Sequence, residues 1–313
     1  MAEIPAAAQP LVDMKAKHDY FVGIDSDGCA MDAMDIKHLE CFTPAYILAW
    51  DLQPISTLAR ETAMFVNLGS ITRGLNRWLA LRQLLDLLRD RAEVAERDVV
   101  IPDYPELTDF IDSKYPLSDK GLAEWAAENP SETAERMIRW GNNVNDRIAE
   151  MVHNAGPFPG VKAAIQAMDG KVDQIVVSAT PVHSLEREWA EHGLAQYMGV
   201  IAGQEMGGKA QHVRWGAKGK YPSNEHIMLV GDAPGDRDAA AKEGVLYYPI
   251  LPGKEKFSWK RFKDEALGKF LDGTFAGDYQ QMLIDEFTAM LPDEVPWETV
   301  SGNKKLTMPK VKS

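Results

Sequence analysis

Five short apolar runs, each ending abruptly in polar residues or glycine, constrain the fold of this chain more than any other feature. They cover residues 19–25, Gln174–Thr180, Met198–Gly203, His226–Asp232 and Gly244–Ile250. Runs of this length and composition are typical of buried strands. Helical stretches follow the second, third and fourth runs, over 182–192, 209–217 and 235–243. Strands that alternate with helices predict right-handed βαβ crossovers, so we expect an α/β fold with a doubly wound, mostly parallel sheet.

The first two runs are separated by far more chain than a single crossover helix requires. Apolar side chains recur at helical spacing through most of this interval, whereas a βαβ unit needs only about 30 residues in all. We therefore expect an all-α domain inserted over residues 33–157. The α/β core would then consist of residues 1–32 and 158–313.

The C-terminal part of the chain carries two more helical patterns, around Trp259–Leu271 and Asp278–Leu291. They are expected to form a helical extension of the core that packs back onto the sheet or onto the insert. The polar, basic sequence over 301–313 is expected to fray.

Composition excludes several classes of protein and of partner. The net charge of −13 argues against a nucleic-acid or anionic-membrane partner that binds through bulk charge. No stretch approaches the ~20 apolar residues of a membrane-spanning helix, and the N-terminus does not resemble a signal peptide. The only two cysteines, Cys29 and Cys41, are too few for a disulfide framework. A reducing cytoplasm is the expected location.

Charged and hydroxyl side chains follow four of the five predicted strands. Because ligands bind at the carboxyl ends of strands in open α/β sheets, we expect these side chains to share one cleft. Several carboxylates packed together cannot all remain ionised without a cation, and oxygen ligands suit Mg²⁺. A lysine and a hydroxyl beside them would bind phosphate oxygens. The residues are Asp25 and Asp27 after the first strand, Ser178 after the second, Lys209 at the helix after the third, and Asp232 and Asp236 after the fourth.

These residues and their order resemble the haloacid dehalogenase-like (HAD) hydrolase superfamily over roughly residues 19–250. The first motif lies in FVGIDSDGCAMD, the second in IVVSATP, the third in GGKAQ and the fourth in LVGDAPGD. The insertion directly after the first motif is similar to the helical cap of the superfamily, which closes over substrate and excludes water. One departure is Cys29, which stands where the family usually has threonine.

The resemblance implies a role for each matching residue. Asp25 would be the nucleophile, and Asp27 would protonate the leaving group and then activate water. Ser178 and Lys209 would bind the phosphate. Mg²⁺ would be held by Asp25, by the backbone carbonyl of Asp27, by Asp232 and by Asp236. A second acid at Asp27 suits oxygen leaving groups, which need a proton, and so favours phosphate-ester hydrolysis.

Each assignment has a simpler structural alternative. Asp25 and Asp27 could be ordinary turn residues after a strand. Ser178 could cap the following helix, and Thr180 competes with it for the phosphate. Lys209 could be a solvated lysine at a helix start, with Lys218 and Lys220 as rivals.

One segment of the insert is a candidate for substrate specificity. Arg73 and Arg77 are four residues apart, which would place them on one helical face beside Asn76. Paired arginines suit a second anionic group on the substrate, although a polar, solvated helix face would have the same sequence.

The sequence therefore predicts a Mg²⁺-dependent phosphatase that acts on a small phosphomonoester through an aspartyl-phosphate. Two alternatives stay open: a phosphotransferase or mutase with the same chemistry, and a non-catalytic scaffold that binds phosphate. The substrate is not readable from the sequence. The oligomeric state is also open, with a homodimer as one option.

Overall fold

The computed structural model describes residues 4–309. Its five strands form one sheet in the order β3-β2-β1-β4-β5, and every neighbouring pair is parallel. Each strand overlaps one of the five predicted runs, so the predicted α/β fold class is confirmed. The strands are β1 (Tyr20–Ile24), β2 (Val172–Val177), β3 (Val200–Ala202), β4 (Ile227–Gly231) and β5 (Leu246–Pro249).

Helices account for most of the remaining chain. None of those in residues 4–309 is both long enough and apolar enough to cross a membrane. The α-helices are α1 (Gln9–Asp13), α2 (Met34–Ile36), α3 (Thr43–Ala49), α4 (Ser56–Asn67), α5 (Arg77–Asp90), α6 (Ala92–Ala95), α7 (Pro105–Asp112), α8 (Asp119–Glu128), α9 (Glu132–Met151), α10 (Val161–Met168), α11 (Val182–Glu191), α12 (Lys209–Gly216), α13 (Pro234–Glu243), α14 (Glu255–Arg261), α15 (Leu267–Leu271) and α16 (Asp278–Ala289). Two π-helical segments, Lys37–Phe42 and Phe262–Ala266, precede α3 and join α14 to α15.

The strand order places a topological switch point at the centre of the sheet. From β1 the chain runs outward through β2 to the edge strand β3, and it then returns across the sheet to β4 on the other side of β1. The central strands are almost fully buried, as their valine and isoleucine content predicts. In sheets of this kind ligands bind outside the carboxyl ends of the strands at the switch point, which here lies between β1 and β4.

The described chain divides into two compact units. One contains the sheet and comprises the chain up to Met34 together with Asn154–Met290. The other is helical and comprises Asp35–His153 together with the chain from Leu291 onward. The sequence had predicted a helical insert over 33–157.

The helical unit has its own aromatic core. The indole ring of Trp140 lies 5.0 Å from that of Trp78 in an edge-to-face arrangement and stacks on Tyr46 at 4.9 Å. Helix α9 begins where its cap residue Ser131 accepts a hydrogen bond from the N–H of Ala134 at 3.1 Å. The unit therefore buries large side chains independently of the sheet.

The described chain after Leu291 differs from its prediction, because it belongs to the helical unit and not to the core. Leu306 is buried within the stretch 301–313 that was expected to fray, of which residues 310–313 lie outside the described residues. Val295, Trp297 and Leu306 form a small buried cluster with side chains of α4 and α5. The Leu306 N–H donates to the carbonyl of Asp293 at 2.7 Å. The apolar residues in this stretch are too few and too irregularly spaced to show a helical or strand period, which is why the sequence did not reveal their burial.

Candidate active site

The carboxyl ends of β1, β2 and β4 lie side by side. Ile24 at the end of β1 is level with Val176 of β2 and Val230 of β4. The N–H of Asp25 donates to the carbonyl of Val230 at 2.9 Å and so extends the ladder by one residue. The predicted site residues that follow these three ends are Asp25, Ser178 and Asp232.

Three carboxylates from two strand ends converge here. Each of Asp25, Asp232 and Asp236 offers an oxygen, and these ligand atoms all lie within 4.8 Å of one another. All three side chains are buried. Lys209, the first residue of α12, has its Nζ 3.0 Å from Asp25 Oδ1 and 2.6 Å from Asp236 Oδ1. Four of the predicted site residues, separated by up to about 200 positions, therefore form one contact group.

The electrostatics of this group show that the carboxylates need positive charge. Burial raises the pKa of Asp25 well above its usual range, and the nearby charges of Asp236 and Asp232 raise it further, against the opposing effect of Lys209. Burial likewise raises the pKa of Asp236. For Lys209, burial by itself lowers the pKa, but the adjacent carboxylates outweigh burial and raise it, so the amine remains charged. One lysine is thus shared among three acids.

A glycine makes room for Asp236. A Cβ at Gly231 would lie 2.5 Å from Asp236 Oδ2 and closer still to its Cβ and Cγ. Asp236 is in the first turn of α13, and its Oδ2 accepts the N–H of Ala233 at 3.1 Å. Because this carboxylate is both packed against the strand and bonded to the loop, the Gly-Asp sequence at the end of β4 fixes where it lies.

The loop after β1 is a tight turn held by buried tryptophans. Gly28 has a φ of 78°, in the left-handed region that favours glycine. The Nε1–H of Trp189 donates to Ser26 Oγ at 3.0 Å, and that of Trp259 donates to the carbonyl of Cys29 at 2.8 Å. Cys29 is buried, with its Sγ 3.7 Å from the carbonyl of Val230. Sequence reasoning missed both tryptophans, because nothing near them in the chain marks their contact with residues more than 150 positions away.

Asp27 and Ser178 are joined by Thr180. The Thr180 hydroxyl donates to Asp27 Oδ2 at 2.9 Å, and the Thr180 N–H donates to Ser178 Oγ at 3.2 Å. Ser178 is buried, whereas Asp27 and Thr180 are half-buried. The Ser178 oxygen accepts this N–H, which leaves its own proton to be donated to another group. The sequence considered Thr180 only as a rival to Ser178.

The donor set fits a hard divalent cation. Carboxylate oxygens in a buried group of this size are the ligands that Mg²⁺ prefers, and each carboxylate has two oxygens, so Lys209 and a cation can share the group. A cation would also reverse the rise in the carboxyl pKa values. The side chain of Asp27 is not one of the three in this group; the ligand predicted from Asp27 is its backbone carbonyl.

The three candidate specificity residues of the helical unit have structural contacts. Asn76 is the N-cap of α5, accepting the N–H of Trp78 at 3.0 Å. Arg73 is buried and donates from Nη1 to the carbonyl of Leu68 at 2.9 Å. Arg77 donates to Asn145 Oδ1 at 3.0 Å. Their role in recognising substrate stays a prediction.

The prediction that Arg73 and Arg77 share one helical face is wrong. Arg73 lies in a turn, and the helix begins only at Arg77. Gly74, with a φ of 72°, interrupts the helical conformation, and Asn76 then caps the new helix. The sequence Gly74-Leu75-Asn76 contained this signal, since glycine is typical of the end of a helical segment and asparagine of the cap that begins the next helix.

Comparison with known proteins gave similarity to solved structures only. No protein-family model matches the chain, and no curated protein is similar to it. The similar structures include proteins named as phosphatases and as hydrolases of the HAD superfamily. One is a protein from Lactobacillus delbrueckii subsp. bulgaricus assigned as a phosphoglycolate phosphatase (14% identity, 83% of this chain and 100% of that chain, TM-score 0.48). Another is a haloacid dehalogenase-like hydrolase from Streptococcus pneumoniae (12%, 77% and 90%, TM-score 0.39).

A third is the protein YfnB of Bacillus subtilis, assigned as a HAD-hydrolase and solved with magnesium bound (13%, 75% and 87%, TM-score 0.37). At these identities and TM-scores the similarities do not establish the activity of this chain. The fold of this chain is established by its own strand pairing, and its chemistry is inferred from its own side chains.

Proposed function

We propose that this chain is a HAD-like phosphatase that hydrolyses a small phosphomonoester through a phosphorylated Asp25. The observation that supports it is the convergence of Asp25, Asp232, Asp236 and Lys209 at the switch point of the sheet. A buried carboxylate group that needs positive charge and includes one lysine is suited to binding a phosphate together with a cation. When bound, Mg²⁺ would supply charge to neutralise the phosphoryl oxygens, and Asp25, Asp232 and Asp236 would hold it.

In the first step of this proposal, a carboxylate oxygen of Asp25 attacks phosphorus. The bond between phosphorus and the ester oxygen breaks, and Asp27 gives its proton to the departing oxygen. Lys209 and Ser178 bind the phosphoryl oxygens. Lys209 also holds Asp25 Oδ1 at 3.0 Å, which restricts the direction from which the nucleophile approaches.

In the second step water attacks phosphorus of the aspartyl-phosphate, and Asp27, now ionised, takes the proton from that water. The bond from phosphorus to Asp25 breaks, which restores the free carboxylate and releases inorganic phosphate. Asp27 therefore returns to its protonated state for the next turnover.

The proposal is tested with Asp25→Asn. We expect release of phosphate from p-nitrophenyl phosphate in Mg²⁺ to fall by roughly 10³-fold or more, because an amide oxygen is a poor nucleophile. The matched control is Asp169→Asn, which changes an exposed acid of the same unit and should leave turnover unchanged.

A chemical readout accompanies the rate. Rapid acid quenching during turnover should yield a phosphate adduct on the peptide that carries Asp25, detected by mass spectrometry. Unchanged turnover by Asp25→Asn, with circular dichroism showing a folded protein, would eliminate Asp25 as the nucleophile.

A further inference from the structure

Thr180 occupies a connecting position between two strand ends. It follows β2 by three residues and precedes α11. Its hydroxyl donates to Asp27 Oδ2 at 2.9 Å, across 153 positions of sequence. Its N–H donates to the hydroxyl oxygen of Ser178 at 3.2 Å. One residue thus contacts the two side chains that the proposed reaction uses at the leaving group and at the phosphate.

The backbone of Thr180 is itself fixed by the turn that leads to Lys209. The N–H of Gln204 donates to the carbonyl of Thr180 at 3.1 Å. A Cβ at Gly203 would lie 2.5 Å from the same carbonyl oxygen, so only glycine permits this close approach. Glu205, two residues after Gly203, accepts with its Oε2 the N–H of Val182, two residues after Thr180, at 3.0 Å. The hydroxyl of Thr180 therefore projects from backbone that is held on both sides.

We propose that Thr180 is a positioning residue for Asp27, an inference that rests on the proposed phosphatase function. Holding one carboxylate oxygen fixes the plane of the carboxyl group and hence the direction in which its other oxygen points. A hydroxyl is suited to this task because it donates to Oδ2 both when the carboxylate is ionised and when the acid carries its proton on the other oxygen, the one that faces the leaving group. The contact can thus persist through both states that Asp27 passes through in each turnover.

The chemistry predicts where loss of this contact matters. Departure of an alkoxide requires a proton in the transition state, whereas departure of a nitrophenolate does not. Misplacing the acid should therefore slow hydrolysis of alkyl phosphates selectively. A residue that binds the transferring phosphoryl group, or one that only supports the fold, would affect both kinds of ester alike.

The test compares Thr180→Val, which keeps the shape and removes the hydroxyl, with Thr180→Ser, which keeps the hydroxyl. The quantity measured is kcat/KM for a series of phosphate monoesters from p-nitrophenyl phosphate to simple alkyl phosphates, in Mg²⁺. This ratio reports the steps up to departure of the leaving group, so hydrolysis of the intermediate does not enter it. Melting temperatures of both variants verify the fold.

For Thr180→Val we expect a loss of roughly 10- to 100-fold on alkyl esters and less than about 3-fold on the nitrophenyl ester. Thr180→Ser should stay within about 3-fold of the unchanged protein on both. Equal losses on the two esters, or a Thr180→Ser variant as impaired as Thr180→Val, would overturn the assignment while leaving the proposed function intact. If the unchanged protein hydrolysed none of the esters, the proposed function and this inference would both fall.

Discussion

Gly231 at the end of β4 is the position where the smallest change should disturb the site most. An alanine there would place its Cβ within 2.5 Å of Asp236 Oδ2, and within clash distance of two more atoms of that side chain. Both partners are buried on backbone that is already hydrogen-bonded, since the carbonyl of Gly231 accepts the Tyr247 hydroxyl at 3.0 Å. The clash can be relieved only by moving Asp236, its carboxyl group included, away from the strand.

The cost of Gly231→Ala follows from what that movement breaks. Overpacking in a rigid core costs about 1–3 kcal/mol. Displacing the carboxylate by about 1.5 Å, enough to restore van der Waals separation, also disrupts its contacts with Lys209 at 2.6 Å and with the Ala233 N–H at 3.1 Å. Hydrogen bonds to charged groups contribute about 1.5–3 kcal/mol each. We expect a total loss of about 4–9 kcal/mol.

The assay is thermal unfolding followed by circular dichroism, with Gly235→Ala as the matched control. A loss of this size should lower the melting temperature by roughly 10 °C. Gly235 lies in α13 and a Cβ there would meet nothing within 4 Å, so its replacement should be neutral or raise stability by about 0.4–1 kcal/mol. If Gly231→Ala melted like the unchanged protein, or if Gly235→Ala lost as much, the steric argument would be refuted.

Two further predictions concern charge. Mg²⁺ at 100 times its dissociation constant should stabilise the unchanged protein by about 2.7 kcal/mol and so raise its melting temperature, because the ion binds only the folded carboxylate group. The Asp232→Asn variant should lose most of this rise. An equal rise in that variant would contradict the proposed cation site. Burial, reinforced by Lys209, lowers the pKa of His212 from 6.5 to about 4. Between pH 6.5 and 4 the His212 imidazole is therefore protonated in the unfolded chain but stays neutral in the folded protein. The free energy of unfolding should fall by up to about 3 kcal/mol over this pH range. His212→Leu should flatten that part of a pH–stability profile, and an unaltered slope would contradict the assignment.

The sequence was sufficient for the sheet and for the acidic group, because both are encoded locally. A buried parallel strand is a short apolar run that stops sharply, and a carboxylate directly after it must lie at the sheet edge. Asp25 and Asp232 could thus be placed together from the strand pattern alone. Lys209 could be placed because a Gly-Gly turn marks the start of its helix.

What the sequence could not give are contacts set by tertiary packing. Thr180 and Asp27 meet because β1 and β2 are neighbours in a particular register, and no local pattern records which hydroxyl then reaches which carboxylate. The helix at Arg77 was extended too far back because apolar periodicity was given more weight than Gly74. The roles of Arg73 and Arg77 in substrate recognition remain predictions for the same reason, since they depend on what surrounds the bound substrate.

The contacts of the C-terminal segment determine the order in which the parts of the protein can reach their final packing during synthesis. Arg91 of the helical unit is buried, pairs with Glu61 at 2.6 Å, and lies 4.5 Å from the ring of Trp297. Trp297 emerges from the ribosome some 200 residues after its partner and after every strand of the sheet has been synthesised. The helical unit, although its sequence is translated early, is therefore among the last parts of the molecule to acquire its full complement of contacts, and its nascent form exposes the surface that Trp297 later covers.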